Sequence, residues 1–406
     1  MAERRDDDRP AGASRGVAGG RVDAGDAATW PTVIATSVIR SAHQGQSHGG
    51  VFLIDLATGD HLQVIDWDDG AIDWEGRGGD RGLRGIAFHA GRVFLAASDE
   101  IFVFDQRFRR IASITSPYLK HCHEICVHGD RLYLTSTGYD AMLVFDLANW
   151  RFVEGICLRP LEFTGRRFAS YRYRKALARR LARLHPAFYR LFTGQLGAWR
   201  FDPAGGAGPT RCDMLHINSV TAGEDGIDVA GIELDGLFRL AGRGVERVAA
   251  VPRGTHNARL AEGDLVYHHT AGDRLALVPG ARGRAEEFVL PRYAADELQN
   301  AHLRQDHARQ AFGRGLCLAG DLLIAGSSPA TISVFRRGMP RPLRSIGLSR
   351  DLRNAIHGLE VWPFDRRLAD WRERTAGERA PVMRAAVSAG TADGRQRHPA
   401  PVPCAP

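Results

Sequence analysis

The sequence predicts an all-β fold, a six-bladed β-propeller closed by pairing of N-terminal strands with a C-terminal inner strand. Three observations predict it. One short segment recurs six times with a hydrogen-bonding side chain at the same place. The complete copies are followed by further strand-like runs separated by turn residues. Strands left over at the start of the chain complement one strand left over near its end.

The clearest copy is CHEICVHGDRLYL, with His123 in a polar cluster, a short apolar run, a Gly129-Asp130 turn and a second apolar run. The others are LRGIAFHAGRVFL, INSVTAGEDGIDV, THNARLAEGDLVY, GRGLCLAGDLLIA and IHGLEVW. Two positions before the first apolar anchor stand Arg84, His123, Asn218, His256, Arg314 and His357. In the first five copies the step to the second strand is constant: Ile86 to Val93, Ile125 to Leu132, Val220 to Ile227, Ala258 to Leu265 and Leu316 to Leu323. Repeats of about 40 residues made of short strands are the signature of a propeller.

In chain order, residues 1–29 are charged and then Ala/Gly-rich, too poor in large apolar residues to offset their ordering entropy, and are expected to be disordered. From Thr32 follow VIATSVI, GVFLIDL and HLQVIDW, three strands of a blade that needs four. The fourth is expected at His357–Trp362, closing the ring between the chain's two ends and removing exposed sheet edges. Complete blades then start at about residues 85, 124, 218, 256 and 314. Three blades end their third strand on an apolar-Asp pair: Ile54-Asp55, Phe104-Asp105 and Phe145-Asp146. The propeller should span 30–365, and 366–406 should be one short helix and then a largely disordered tail.

The spacings between equivalent positions are 39, 95, 38, 58 and 43, so two insertions interrupt the repeat. The larger, about 160–212, carries Leu177, Leu181, Leu184, Phe188 and Leu191 at helical spacing. From Phe163 to Phe201 it has ten basic residues and no acidic one. This basic amphipathic helix, about 166–193, has several readings. It suits an anionic membrane surface, apolar face down. It also suits a lid or a protein partner's contact, or a solvated helix docked on the rim. Nucleic acid ranks last as a partner, because no recognised binding module accompanies the helix. The smaller insertion, about 293–311, reads as a polar helix with Asp296, Glu297, His302 and His307.

With 44% hydrophobic and 25% charged residues the chain can bury a large core, and its 46 glycines suit many tight turns. The net charge of +7 says less than its concentration in the larger insertion. Six cysteines form no CxxC pair, no basic start leads into an apolar stretch, and no run of 18 apolar residues occurs. The expectation is a cytoplasmic protein with reduced thiols, peripheral at the membrane if the basic helix lies there.

In a propeller the six equivalent positions form a ring about the axis, and histidine then occupies alternate blades. His123, His256 and His357 converge from directions about 120° apart, which suits a three-histidine metal site with open positions for zinc, iron or manganese. Arg84 and Arg314 can hold an anionic substrate bidentately, with Asn218, His216 and Asn257 as further binding residues. Glu124 and His121 are candidates for a second ligand shell or for acid/base work. This arrangement points to an enzyme acting on a small anionic substrate, of lyase, isomerase or hydrolase type. The bland reading is a polar, water-filled channel, and arginines beside a metal work against its binding. His268 and His269, in mid-strand, read as packing or surface residues, and Cys122 and Cys126 as core thiols.

LRGIAFHAGRVFLAAS, HCHEICVHGDRLYLTS, RCDMLHINSV, GTHNARLAEGDLVYHHTAGDRLALV and FGRGLCLAGDLLIAGSSPA are similar, over about 80–335, to successive blades of a family of uncharacterised bacterial propeller proteins. That resemblance implies the fold and no activity. His216-Ile217-Asn218-Ser219 resembles a stretch that lines the axial funnel of arylsulfotransferase propellers. It implies group transfer through a funnel histidine, an alternative to metal chemistry. A non-catalytic interaction scaffold is the third reading.

Overall fold

The computed structural model describes residues 30–43, 45–68, 82–160, 196–211, 213–242, 244–302, 309–365 and Trp371. Six antiparallel sheets are arranged as blades. Blade 1 holds β4 (Ile86–His89), β5 (Arg92–Ala96), β6 (Glu100–Phe104) and β7 (Arg110–Thr115). Blade 2 holds β8 (Ile125–His128), β9 (Arg131–Ser136), β10 (Ala141–Asp146), β11 (Arg151–Pro160) and β12 (Leu196–Phe201). Blade 3 is β13 (Ile217–Gly223) to β16 (Gly244–Ala250), and blade 4 is β17 (Thr255–Ala261) to β20 (Glu286–Val289). Blade 5 is β21 (Gly315–Ala319) to β24 (Met339–Gly347).

Blade 6 closes the ring as expected. Its inner strand β25 (Asn354–Val361) pairs with β1 (Thr32–Ile39), which pairs with β2 (Gly50–Asp55) and then β3 (His61–Asp66). Val33 faces Val361 and Ile39 faces Asn354.

Blades stack face on face, so each strand buries both of its faces. Successive β1 residues serve different cores: Val33 and Ala35 pack against blade 5, with Cys317 and Ile324, whereas Ile34 packs against blade 1, with Val93 and Leu95. In β19 (Arg274–Val278), Leu275 and Leu277 turn toward blade 5 and Ala276 and Val278 toward blade 3. Period-two alternation sorts neighbouring apolar residues onto opposite faces, which is why the strands read as unbroken apolar runs. Each neighbouring pair of blades shares such a core, blade 6 with blade 1 included.

The recurring apolar-Asp pair is turn chemistry. The Oδ1 atoms of Asp55, Asp105 and Asp146 each accept two backbone N–H groups from the following turn.

Two spans differ from expectation. The larger insertion is entered and left on strands: β11 runs to Pro160 and β12 pairs with it from Gly155↔Phe201 to Pro160↔Leu196. The basic amphipathic stretch 166–193 lies outside the described residues. In the smaller insertion Ala295–Glu297 form a 3₁₀ turn, and Gln299 then bridges Asp351. No α-helix stands there among the described residues, and His307 lies outside them. Glu297 accepts the Ala294 N–H at the start of the turn, and the backbone is extended again at Leu298. Within the C-terminal segment Trp371 is buried, packing on Phe108 and Trp362 with ring centroids 5.3 and 6.5 Å away. Among the described residues no helix is long and apolar enough to cross a membrane.

Candidate functional site

All six equivalent residues, Arg84, His123, Asn218, His256, Arg314 and His357, are buried at the inner strands. Local irregularities aim them. Register shifts interrupt the inner ladders between Ile217 and Ser219, between His256 and Ala258, and opposite His357–Gly358. A bulge bends its strand and redirects a side chain. Asn257 has φ +48, a left-handed conformation that asparagine tolerates better than most residues. At His123 the Thr135 hydroxyl performs the same service. It accepts the His123 and Glu124 N–H groups at 2.9 and 3.0 Å and donates to the Glu124 carbonyl at 3.1 Å.

Hydrogen bonds stitch the ring from blade to blade. Gly85 N–H donates to the His123 carbonyl at 2.8 Å. Asn218 Nδ2 donates to the Thr255 carbonyl, and Asn257 Nδ2 to the Arg314 carbonyl, each at 3.3 Å. The Thr36 hydroxyl donates to the Arg84 carbonyl and accepts the Gly358 N–H. Glycine is required at 358 because a Cβ there would lie 2.1 Å from the Arg84 carbonyl oxygen.

The three histidines converge as their spacing predicts. Ring centroids lie 5.7 Å apart for His123 and His256, 5.3 Å for His123 and His357, and 5.8 Å for His256 and His357. One nitrogen from each lies within 4.8 Å of the others. A common point then lies no more than about 2.8 Å from all three, against about 2.0–2.1 Å in a zinc–imidazole bond. Ring shifts of under about an ångström close that gap. Among the described residues, neither ring nitrogen of His256 or His357 has a hydrogen-bond partner, nor has Nδ1 of His123. Buried polar atoms without partners are costly, and a metal ion would satisfy one nitrogen of each ring.

Burial is the main cause holding the three imidazoles well below their ordinary pKa. The next cause is Arg84 for His123 and Arg314 for His256 and His357. All three are therefore neutral, the form that ligates metal.

The remaining candidates divide. His216 is close to the cluster, its ring centroid 5.0 Å from His123 and 6.5 Å from His256. Its Nδ1 meets the Asp213 carboxylate at 2.9 Å, which fixes the ring's orientation. His121 is not brought in: with φ +56 it turns to the rim, where its Nε2 lies 3.2 Å from Arg211. Glu124 also faces elsewhere. It lies near Arg259 and Glu360, with Asn257 Nδ2 at 3.5 Å, and burial raises its carboxyl well above the usual range. It faces a second layer three positions beyond the ring residues, where Arg259 pairs with Glu360 at 3.1 Å beside Cys126 and Cys317. Sequence reasoning missed Arg40. It lies in the turn after β1 rather than in the repeat register, yet it is buried and acts on His256 and His357. The pairing of β1 with the His357 strand was the signal that could have found it.

No protein-family model matches the chain, and no curated protein matches it. Solved structures similar to it include streptogramin B lyase, at 14% identity over 64% of this chain and 70% of that one, TM-score 0.35. A Bacteroides caccae protein of unknown function aligns at 9% identity over 82% of this chain and 100% of that one, TM-score 0.45. A chain of a nidogen/laminin complex aligns at 7% over 81% and 97%, TM-score 0.47. The likeness to arylsulfotransferases rests on the sequence stretch alone.

Proposed function

We propose that the axial ring is a metal centre on His123, His256 and His357, and that the protein is an enzyme acting there on a small anionic substrate. The observation that carries this reading is the convergence of three buried, neutral imidazoles from alternate blades, with ring nitrogens that have no other partner among the described residues. A divalent zinc, iron or manganese ion there would supply a Lewis acid, suited to lyase, isomerase or hydrolase chemistry. Arg84 and Arg314 bind the anion, and Asn218 and His216 orient its other end. Three neutral ligands leave the metal's charge uncompensated, so an anionic substrate completes the electrostatic balance. Element analysis of the purified protein tests the reading. About one equivalent of a divalent metal is expected in the wild type and loss of it in His256→Ala. A wild-type protein that stays metal-free after incubation with these ions overturns it.

A second reading is metal-free group transfer, favoured by the carboxylate-oriented His216. A nucleophilic imidazole needs its far nitrogen deprotonated, and a carboxylate at Nδ1 fixes that tautomer. Incubation with an aryl sulfate followed by mass spectrometry should then show a labile histidine adduct that Asp213→Asn diminishes.

A further inference from the structure

Asn218 carries a buried amide whose orientation is fixed. Its Nδ2 donates to the Thr255 carbonyl at 3.3 Å, and a carbonyl can only accept, so the amide oxygen faces the other way. That Oδ1 is buried and has no hydrogen-bond partner among the described residues. The register shift between Ile217 and Ser219 takes Asn218 out of the regular ladder. The strand around it is pinned on both sides. The Thr137 hydroxyl of blade 2 donates to the Ile217 carbonyl. The Ser219 hydroxyl donates to the Ala258 carbonyl at 2.8 Å and accepts the Ala258 N–H at 3.1 Å. Asn218 is thereby held between blades 2 and 4, which carry His123 and His256.

His216 reaches the same interval from the turn before β13. The buried Asp140 carboxylate accepts the N–H groups of Met214, Leu215 and His216 at 2.9, 2.8 and 3.2 Å, which fixes that turn. The imidazole then lies 5.0 Å from His123 and 6.5 Å from His256, centroid to centroid. With the Asp213 carboxylate on Nδ1, the neutral ring carries its proton there and presents Nε2 as an acceptor. The blade 3 side of the site thus offers an amide oxygen and an imidazole nitrogen, both of which need a donor.

Resting on the reading of the axial ring as a metal centre for a small anion, we infer that this side selects a hydroxyl group on that anion. The substrate class is a 2-hydroxy acid. Its carboxylate meets the ion, and its hydroxyl hydrogen goes to Asn218 Oδ1 beside the His216 ring. An ammonium group in the hydroxyl's place would meet the ion's own charge, so a neutral donor is the one that fits. An ether or a methyl group there would leave the amide oxygen buried and unpaired, and that penalty is what discriminates.

The test is calorimetric titration of the full chain, metal-loaded and chelator-treated, with glycolate, methoxyacetate and propionate in mildly alkaline buffer. Methoxyacetate keeps the oxygen and loses its hydrogen; propionate keeps the shape and loses the oxygen. Glycolate should bind tighter than either by about tenfold or more. Asn218→Leu should bring that ratio close to one. Methoxyacetate or propionate binding as tightly as glycolate, no binding of glycolate, or a wild-type ratio in Asn218→Leu would each overturn the inference. Should Asn218→Leu fail to fold, the wild-type ratio decides by itself. Discrimination by a protein that never takes up metal ends the metal reading alone. Metal uptake without discrimination ends this one alone.

Discussion

The imidazoles of His123 and His357 stack, with ring centroids 5.3 Å apart and planes 9° from parallel. They come from blades 2 and 6, on either side of the blade that carries Arg84. Two protonated rings would repel at that separation, whereas two neutral rings present their lone pairs to a shared ion. Metal binding should therefore stabilise the fold by mass action, by about 2.7 kcal/mol at a free concentration a hundred times Kd. Thermal melts with and without added zinc, iron(II) or manganese check this. The wild-type Tm should rise with one of these metals, and that of His123→Ala should not; an equal rise in both would place the ion elsewhere.

His268 gives a pH dependence with a clear sign. Burial is the main cause lowering its pKa from 6.5 to about 4, while a 2.6 Å contact between its Nε2 and the Gly315 carbonyl opposes the shift. Between pH 6.5 and 4 the unfolded chain binds a proton that the folded chain refuses, so stability falls as pH drops through that window. For this group alone the loss is on the order of 3 kcal/mol at pH 4. The axial histidines act in the same direction. The buried Glu124 and Glu360 carboxyls, with raised pKa values, act in the opposite one. A variant therefore isolates the contribution of His268. Urea melts from pH 7.5 to 4.5 should show a steeper acid loss for wild type than for His268→Gln, which retains a donor; parallel curves would mean His268 is not held neutral.

Thr135 binds both N–H groups of the His123-Glu124 pair through one hydroxyl. Thr135→Val keeps the shape and removes the acceptor, leaving two buried donors unsatisfied, and should cost roughly 2–4 kcal/mol. Thr135→Ser should recover most of it. Chemical denaturation of the three proteins checks this, and a valine variant as stable as wild type would show that those donors find other partners.

Gly358→Ala should be among the most damaging single-methyl changes, because the Arg84 carbonyl occupies the space its Cβ needs. The expected loss is about 2–4 kcal/mol. Gly206 is the control: a methyl group there would meet nothing within 4 Å, and Gly206→Ala should be near neutral. Similar midpoints for both variants would mean that blade 6 can move away from blade 1 at little cost.

Trp371 fills a pocket between blades 6 and 1 with Phe108, Trp362 and Trp67. Trp371→Ala should cost about 3–5 kcal/mol. Differential scanning calorimetry should show one lower transition, and an unchanged profile would make the C-terminal contact dispensable.

The inner-strand register was legible because it repeats. Six copies, each with a hydrogen-bonding residue two positions before an apolar anchor, fixed Arg84, His123, Asn218, His256, Arg314 and His357 as one layer. Blade closure was legible as a deficit of one strand at one end and a surplus at the other. What lay outside the repeat was not. Strand β12 sits at the edge of a basic stretch whose leucine spacing spoke for a helix, and nothing local marks Leu196–Phe201 as the partner of β11. Arg40 follows a second strand rather than an inner one, so no internal comparison picks it out. Glu124 and His121 adjoin a site residue in sequence but not in space: alternation along the chain carries one away from the ring, and a positive φ turns the other outward.

Because β25 supplies His357, the three-histidine arrangement waits until that strand has been made. As the chain leaves the ribosome, blades 1 to 5 can assemble with two of the three imidazoles, while β1 to β3 lack their inner neighbour. A nascent or truncated chain would thus be an incomplete chelator as well as an open ring. Synthesis of β25 would act as the checkpoint for assembling the three-histidine cluster, and a chain broken before it would hold two of the three imidazoles.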